Sequence, residues 1–349
     1  MKQHINIRWY ENDARVYPAH FHAAGLMDIL LERGIESDRF LKGTRLFYDD
    51  LLKGNTRLDS SQFCHIIENA KNLYALPELS FRWGHGMFPG HFDAYSQLIC
   101  HADNLKQLTN VLSRYSILTP LLSLKVWEDN DTVYIQWNDA IGLGTSYAFV
   151  IEAYVTALTS LVNWYFSEKL PWKFSFSFAE PKHIEEYKVN LGDNVQFSMG
   201  VDLIMLDKSW LEKPFPSINR NLSSNAAFSM AKRQCEHENE KGSLGFIEAI
   251  SSVLNNESPN ILSLNETADR FGMSPATFKR KLKNHGWSFQ RLQDQSKLEV
   301  SLYLIQTKGL GNTELAEYLN IADANNFRKA FKRWCGMTPA TIREKLVYG

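Results

Sequence analysis

The chain has 349 residues, enough at roughly 100–200 residues per domain for two domains with a core each. With a net charge of −1, 44% hydrophobic and 22% charged residues, it has ordinary globular usage. That excludes a disordered or fibrous chain and a protein that binds nucleic acid by bulk charge alone.

In chain order, helical patterns open the first segment, residues 1–215: Ala24–Arg33, Asp59–Leu73 with Asp59 or Ser60 as cap, and Asn104–Leu118 with Leu105, Leu108, Leu112 and Tyr115 at helical spacing. Two β-rich runs, Leu121–Trp127 and Thr132–Trp137, flank the polar turn Glu128–Asp131 and predict a hairpin. The apolar stretch Ser146–Phe166 carries Glu152 and Asn163 and predicts a buried helix of a soluble protein. Lys173–Phe178 alternates Phe174, Phe176 and Phe178 with polar residues, a strand with one aromatic face, and Val195–Met205 supplies one or two strands more. The expectation is an α+β domain, helices plus a small antiparallel sheet, for sensing and dimerisation. Residues 216–243 lose periodicity and end in the charged run Lys232–Lys241, a linker or an exposed helix.

Residues 244–349 are dense in helix signals. From Ser258 onward the chain carries a net charge of +6 against −7 for the remainder, as expected of a polyanion-binding domain beside an acidic one. In Glu266–Gly286 a short helix containing Ala268 and Phe271 meets Gly272, fit for the left-handed turn that ends a helix; Ser274-Pro275 then starts another. The second helix turns Phe278 and Leu282 inward and rings its exposed faces with Lys279, Arg280, Lys281 and Lys283. Glu314–Gly336 repeats the layout, with Ala316 for Ala268, Asn320 for Gly272, Asp323 as N-cap, and Phe327 and Phe331 inward. Between the two, Ser288–Gln306 reads as one apolar-striped helix. An all-α domain of two helix-turn-helix units joined by a long helix is therefore expected, with double-stranded DNA as partner.

Here the sequence resembles a known family. Leu264–Arg343 is similar to the DNA-binding domain of the AraC/XylS transcription regulators, carried by Asn326-Phe327, Ala330-Phe331-Lys332, Gly336, Thr338-Pro339 and Arg343. It departs at Asn320-Ile321, where the family has Gly-Phe, at Lys297 for Arg, and at Ile342 for Tyr. Asn also tolerates positive φ, so the turn is expected to survive. More weakly, His91–Tyr95, the helix Asn104–Tyr115 and Phe176–Phe178 leading to Pro181 resemble the arabinose-binding-type domain of a branch that includes regulators of ornithine use.

The resemblance implies two recognition helices in successive major grooves, about 34 Å apart. By motif position Ala276, Lys279 and Arg280 face base edges in the first, and Asn325, Asn326, Arg328 and Lys329 in the second. Arg280 suits guanine and Asn325 or Asn326 adenine, while Lys281, Lys283, Lys332 and Arg333 meet phosphates. It further implies a homodimer, in which Ser146–Phe166 shares, RNA polymerase as a partner, activator function, and a small-molecule effector acting through residues 216–243. Phe174, Phe176 and Phe178 are candidate effector-pocket residues, with the sheet's core face as the alternative.

No catalytic motif is present: no P-loop, nucleophile elbow, HExxH or paired carboxylates. The four cysteines, Cys64, Cys100, Cys235 and Cys335, form no CxxC pair and suit a reducing cytosol. His85, His91 and His101 are not spaced for one helix face, and His20 and His22 flank Phe21 as at a strand edge. Neither metal nor cofactor is expected. With no apolar leader in Met1–Tyr10, the protein is expected in the cytoplasm, off any membrane. Two rivals remain: a protein-binding sensor whose helix-turn-helix domain is no DNA reader, and a DNA-repair enzyme with such a domain for targeting. The second needs a cysteine-rich zinc site and a reactive Cys beside Pro and His, which this chain lacks.

Overall fold

The computed structural model describes residues 8–115, 121–218, 221–256 and 262–346. The polar start Met1–Ile7, the tail of the helix expected over Asn104–Leu118 and Asn219 of the expected linker lie wholly or partly outside them.

Local chemistry sets the amino-terminal helices. Asp59 caps Ser60–Tyr74 by accepting from the Gln62 amide at 2.8 Å, and Gln62 returns a bond to the Asp59 amide. Asn104 caps Leu105–Arg114 by accepting from the Gln107 amide at 2.9 Å. The helix Tyr147–Phe166 is buried on nearly every side, as an apolar sequence with no polar stripe must be. Leu79–Met87 crosses it closely at Gly84, where a Cβ would stand 2.4 Å from the Ala153 carbonyl oxygen. By length and composition Tyr147–Phe166, with the turn before it, is apolar enough to cross a membrane, yet 78% of its apolar window is buried inside the protein.

The hairpin forms as expected, Leu122–Glu128 against Thr132–Asp139, with Tyr134 opposite Trp127. It opens a five-stranded sheet that continues through Leu203–Asp207, Lys173–Ser175 and Val195–Gln196. The sheet is not purely antiparallel: Lys173–Ser175 and Val195–Gln196 run parallel, the helix Ile184–Leu191 supplying the crossover. Thr132–Asp139 does not alternate buried and exposed positions; Val133 through Asn138 are all buried. The reason is that both faces are covered. Val133, Ile135 and Trp137 face the amino-terminal helices, whereas Tyr134, Leu203 and Met205 share one apolar cluster with Leu298, Leu302, Ile305 and Phe331 of the carboxy-terminal region.

Residues 216–243, expected as linker or exposed helix, contain a 20-residue helix, Leu222–Lys241, capped by Asn221. It lies against Ala94–Cys100 and sinks Ala231 and Cys235 into the amino-terminal core. Leu244–Gly245 then pairs in parallel with Trp9–Tyr10, so the start of the chain is stitched to the start of the carboxy-terminal region. That region is helical throughout: Phe246–Asn256, Leu264–Arg270, Pro275–Asn284, Phe289–Lys308, Asn312–Tyr318, Ala324–Cys335 and Pro339–Leu346.

Candidate nucleic-acid interface

Two short helix pairs repeat the same local solution. In the first, Gly272 takes φ +67°, and the Met273 amide donates back to the Ala268 carbonyl at 2.9 Å. In the second, Asn320 takes φ +53°, and the Ile321 amide donates to Ala316 at 2.8 Å. The departure from glycine at Asn320 thus leaves the turn intact, because a short polar side chain tolerates the left-handed region at modest cost. Ser274 and Asp323 then cap the following helices by accepting from the amides of Thr277 and Asn326. Phe278 and Leu282 are closed into one cluster with Phe246, Ile250 and Trp287; Phe327 and Phe331 are closed into the cluster that includes the sheet.

Burying those pairs forces the opposite faces outward. Ala276, Lys279, Arg280, Asn325, Asn326, Arg328 and Lys329 are all exposed, as are Lys283, Lys332 and Arg333. Several are pre-arranged within their own helix: Asn326 donates to Asp323 at 3.0 Å, and Arg328 bonds the Asn325 side-chain oxygen. Arg333 is tied at 3.2 Å to Asp294 of Phe289–Lys308.

Lys281 is turned away from that open face. It was expected at phosphates, but it turns to the amino-terminal region, paired with Glu11, its ammonium 5.8 Å from the Trp9 ring centre. Helical periodicity placed it on the exposed flank; the strand pairing of Trp9–Tyr10, which brings Glu11 there, has no signal in the repeat itself.

The expected effector-pocket residues are a second correction. Phe174 and Phe176 are 1% exposed and stack within an aromatic cluster with Phe178, Phe197 and Tyr187, so the alternating phenylalanines are the sheet's core face. Among the described residues no three His, Cys, Asp or Glu side chains stand where they could hold a metal ion. His22 is sealed in the core against the Tyr154 hydroxyl at 2.9 Å, and burial drives its pKa down to about 3.

Sequence reasoning missed how the two regions meet. The Asn12 side chain donates to the Asn284 carbonyl, Trp127 Nε1 donates to Gln306 at 2.9 Å, and Lys125 pairs with Glu299. Two glycines permit the closest approaches: a Cβ on Gly142 would sit 2.5 Å from the His285 carbonyl oxygen, and one on Gly200 would sit 2.2 Å from Cys335 Cβ. Both have positive φ, which a sequence read alone does not distinguish from an ordinary loop glycine.

Residues 34–215 match the family model described as the arabinose-binding domain of AraC transcription regulators, and residues 267–345 match a helix-turn-helix domain model. The ornithine utilization regulator of Pseudomonas aeruginosa is 23% identical over 351 residues, covering 99% of both chains. An uncharacterized HTH-type transcriptional regulator of Mycobacterium bovis is 22% identical, covering 90% of this chain and 93% of its own. The crystal structure of the transcriptional regulator CdpR from Pseudomonas aeruginosa aligns over 92% of this chain and 97% of its own, at 15% identity and a TM-score of 0.42. With the amino-terminal model spanning more than half of the chain and a helix-turn-helix model matching residues 267–345, this protein belongs to the AraC family of DNA-binding transcription regulators.

Proposed function

We propose that the chain reads duplex DNA with two helix-turn-helix units, whose recognition helices are Pro275–Asn284 and Ala324–Cys335, held apart by Phe289–Lys308. One observation carries this reading: both helices keep their basic and amide faces open to solvent even though the region they belong to is packed against the amino-terminal domain. Ala276, Lys279, Arg280, Asn325, Asn326, Arg328 and Lys329 meet base edges. Lys283, Lys332 and Arg333 meet phosphates, where each charge adds affinity without sequence preference. Good bidentate base contacts are each worth about 1–3 kcal/mol of discrimination.

The amino-terminal domain takes a small-molecule effector, in line with its match to a ligand-binding family. Residues 1–215 sense and dimerise, 216–243 couple, and 244–349 bind DNA. The working form is a homodimer that acts on RNA polymerase in the cytoplasm as a regulator with no catalytic role; family membership supports this part. Genome-wide footprinting of the purified full-length chain tests the reading. It should protect paired segments one helical turn apart on one face of the duplex. Protection without sequence preference, or protection unchanged in a Lys279→Glu/Lys329→Glu double variant, would refute it.

A further inference from the structure

Between the sheet and the helix Phe289–Lys308 runs a groove of about 590 Å³, a size suited to a small molecule. Its walls come from both regions: Gln136, Asn138, Tyr147 and Asp202 on one side, Trp287, Arg291 and Trp334 on the other. Most polar groups here are already satisfied. Asp294 is matched by Arg333, and Glu299 by Lys125. Asp139 accepts from the amides of Ile141, Gly142 and Leu143, and Asp202 from Ser177 and Tyr147.

What is left over has a distinct chemistry. Asn138 is 8% exposed; its side-chain oxygen accepts from Gln136, while its amide nitrogen has no partner. The indole N–H of Trp334 is likewise buried and unpartnered. Arg291 stacks on Trp287 with its guanidinium carbon 3.9 Å from the ring centre, an arrangement that leaves the in-plane N–H donors at its edge. Asn138 and Trp334 thus hold unmet buried donors, which are costly, and Arg291 adds exposed N–H donors beside them, so the groove calls for an acceptor. The charges left over have the opposite bias: two carboxylates, Asp139 and Asp202, against one arginine, Arg291, and each carboxylate keeps acceptor capacity beyond its three bonds. A simple anion would meet excess negative charge, and a simple cation would leave the donors unmet.

We propose that this interdomain groove is the effector site and that it takes a small zwitterion bearing both an ammonium and a carboxylate, the class of free amino acids. The carboxylate meets Asn138, Trp334 and Arg291, and the ammonium lies toward Asp139 and Asp202. Because both walls must be in place, the ligand binds the seated arrangement of the two regions and couples reciprocally to DNA. The inference rests on the effector-dependent reading above and adds the site and the ligand class.

The test is thermal shift of the full-length chain against the twenty common L-amino acids and L-ornithine. Putrescine serves as a cation without carboxylate and succinate as an acid without amine. At least one amino acid should raise the melting temperature, neither control should, and titration calorimetry with that amino acid should give at least tenfold weaker binding to Arg291→Gln and to Asn138→Leu. Arg291 is exposed, so its variant keeps the fold if the buried Asn138 variant does not. No stabilisation by any amino acid, equal stabilisation by putrescine or succinate, or undiminished binding by Arg291→Gln would overturn the proposal. Duplex binding by the unliganded chain separates the two failures: DNA binding without amino-acid binding sinks this site alone, and loss of both sinks the reading beneath it.

Discussion

Adding a single methyl group at Gly200 measures how firmly the DNA-binding region is seated on the sheet. An alanine Cβ there would stand 2.2 Å from Cys335 Cβ and 2.7 Å from its Cα and carbonyl oxygen, where ordinary contact begins at 3.4 Å. The sheet and the helix Ala324–Cys335 must therefore part by about 1 Å or more, loosening Met199 and Val201 from the cluster they share with Phe331. Two costs combine. Residue 200 has φ +74°, which costs an L-residue roughly 1–2 kcal/mol, and overpacking a close contact adds about 1–3 kcal/mol. Gly34 provides the control: its φ is +73° and a Cβ there meets nothing within 4 Å, so Gly34→Ala carries the backbone cost alone. Urea denaturation followed by tryptophan fluorescence, with small-angle scattering of the native state, should show Gly200→Ala destabilised by about 2–5 kcal/mol and slightly expanded, against about 1–2 kcal/mol and no expansion for Gly34→Ala. Equal costs with identical scattering would mean that the two regions do not pack this way in solution.

Other perturbations separate the remaining assignments. Lys283→Ala should weaken all duplexes alike and lower the salt slope of binding by about 1, whereas Arg280→Ala should relax preference at one base pair; gel-shift series across salt and operator variants distinguish them. Lys281→Ala should leave the salt slope unchanged, because its charge is spent on Glu11. His22 is neutral in the core, with a pKa near 3 against an ordinary 6.5. Its contribution is complete above pH 6.5 and fades as pH falls toward 3, an upper bound of roughly 4–5 kcal/mol at about 1.4 kcal/mol per unit. His22→Phe should flatten the acid limb of the stability profile measured by denaturation between pH 7 and 4. Glu248 has the opposite sign. Burial raises its pKa to about 7 despite Lys125 and the Gly245 amide. The stability it adds is full below about 4.5 and lost as pH rises through 7, at most about 3 kcal/mol; Glu248→Gln should abolish that slope.

The carboxy-terminal region was legible in sequence because its information is local. Ser274, Asp323 and the pairs Phe278/Leu282 and Phe327/Phe331 each set a cap or a buried face within one or two turns of helix, and all stand where expected. The hairpin and the helix Tyr147–Phe166 were legible for the same reason. What failed was non-local. The parallel pairing of Lys173–Ser175 with Val195–Gln196 depends on a crossover, and the turn of Lys281 toward Glu11 joins residues 270 positions apart. The phenylalanine alternation was correct as a strand signal, but period-2 patterning cannot tell a pocket wall from a closed core. The burial of Thr132–Asp139 on both faces follows only once a second region is known to cover the sheet.

That double coverage constrains how such a regulator can switch. The residues proposed to face bases and phosphates, Lys281 apart, are open to solvent while both helix pairs are seated, so on that reading no step of uncovering is needed to present them. The first pair is fixed to the amino-terminal region through Trp9, Glu11 and Asn12, the second through the sheet by Tyr134, Leu203 and Met205. On the reading proposed above, an effector acts on DNA affinity through the separation or angle of the two units, which the duplex meets at one fixed pitch. Operators with one to three base pairs inserted between the two contacted segments test this in gel shifts. A rigidly seated protein should lose affinity steeply with each insertion, by at least tenfold for the first. Tolerance of all three spacings would show that the units move independently, and that neither the sheet nor the amino-terminal strand holds them in register.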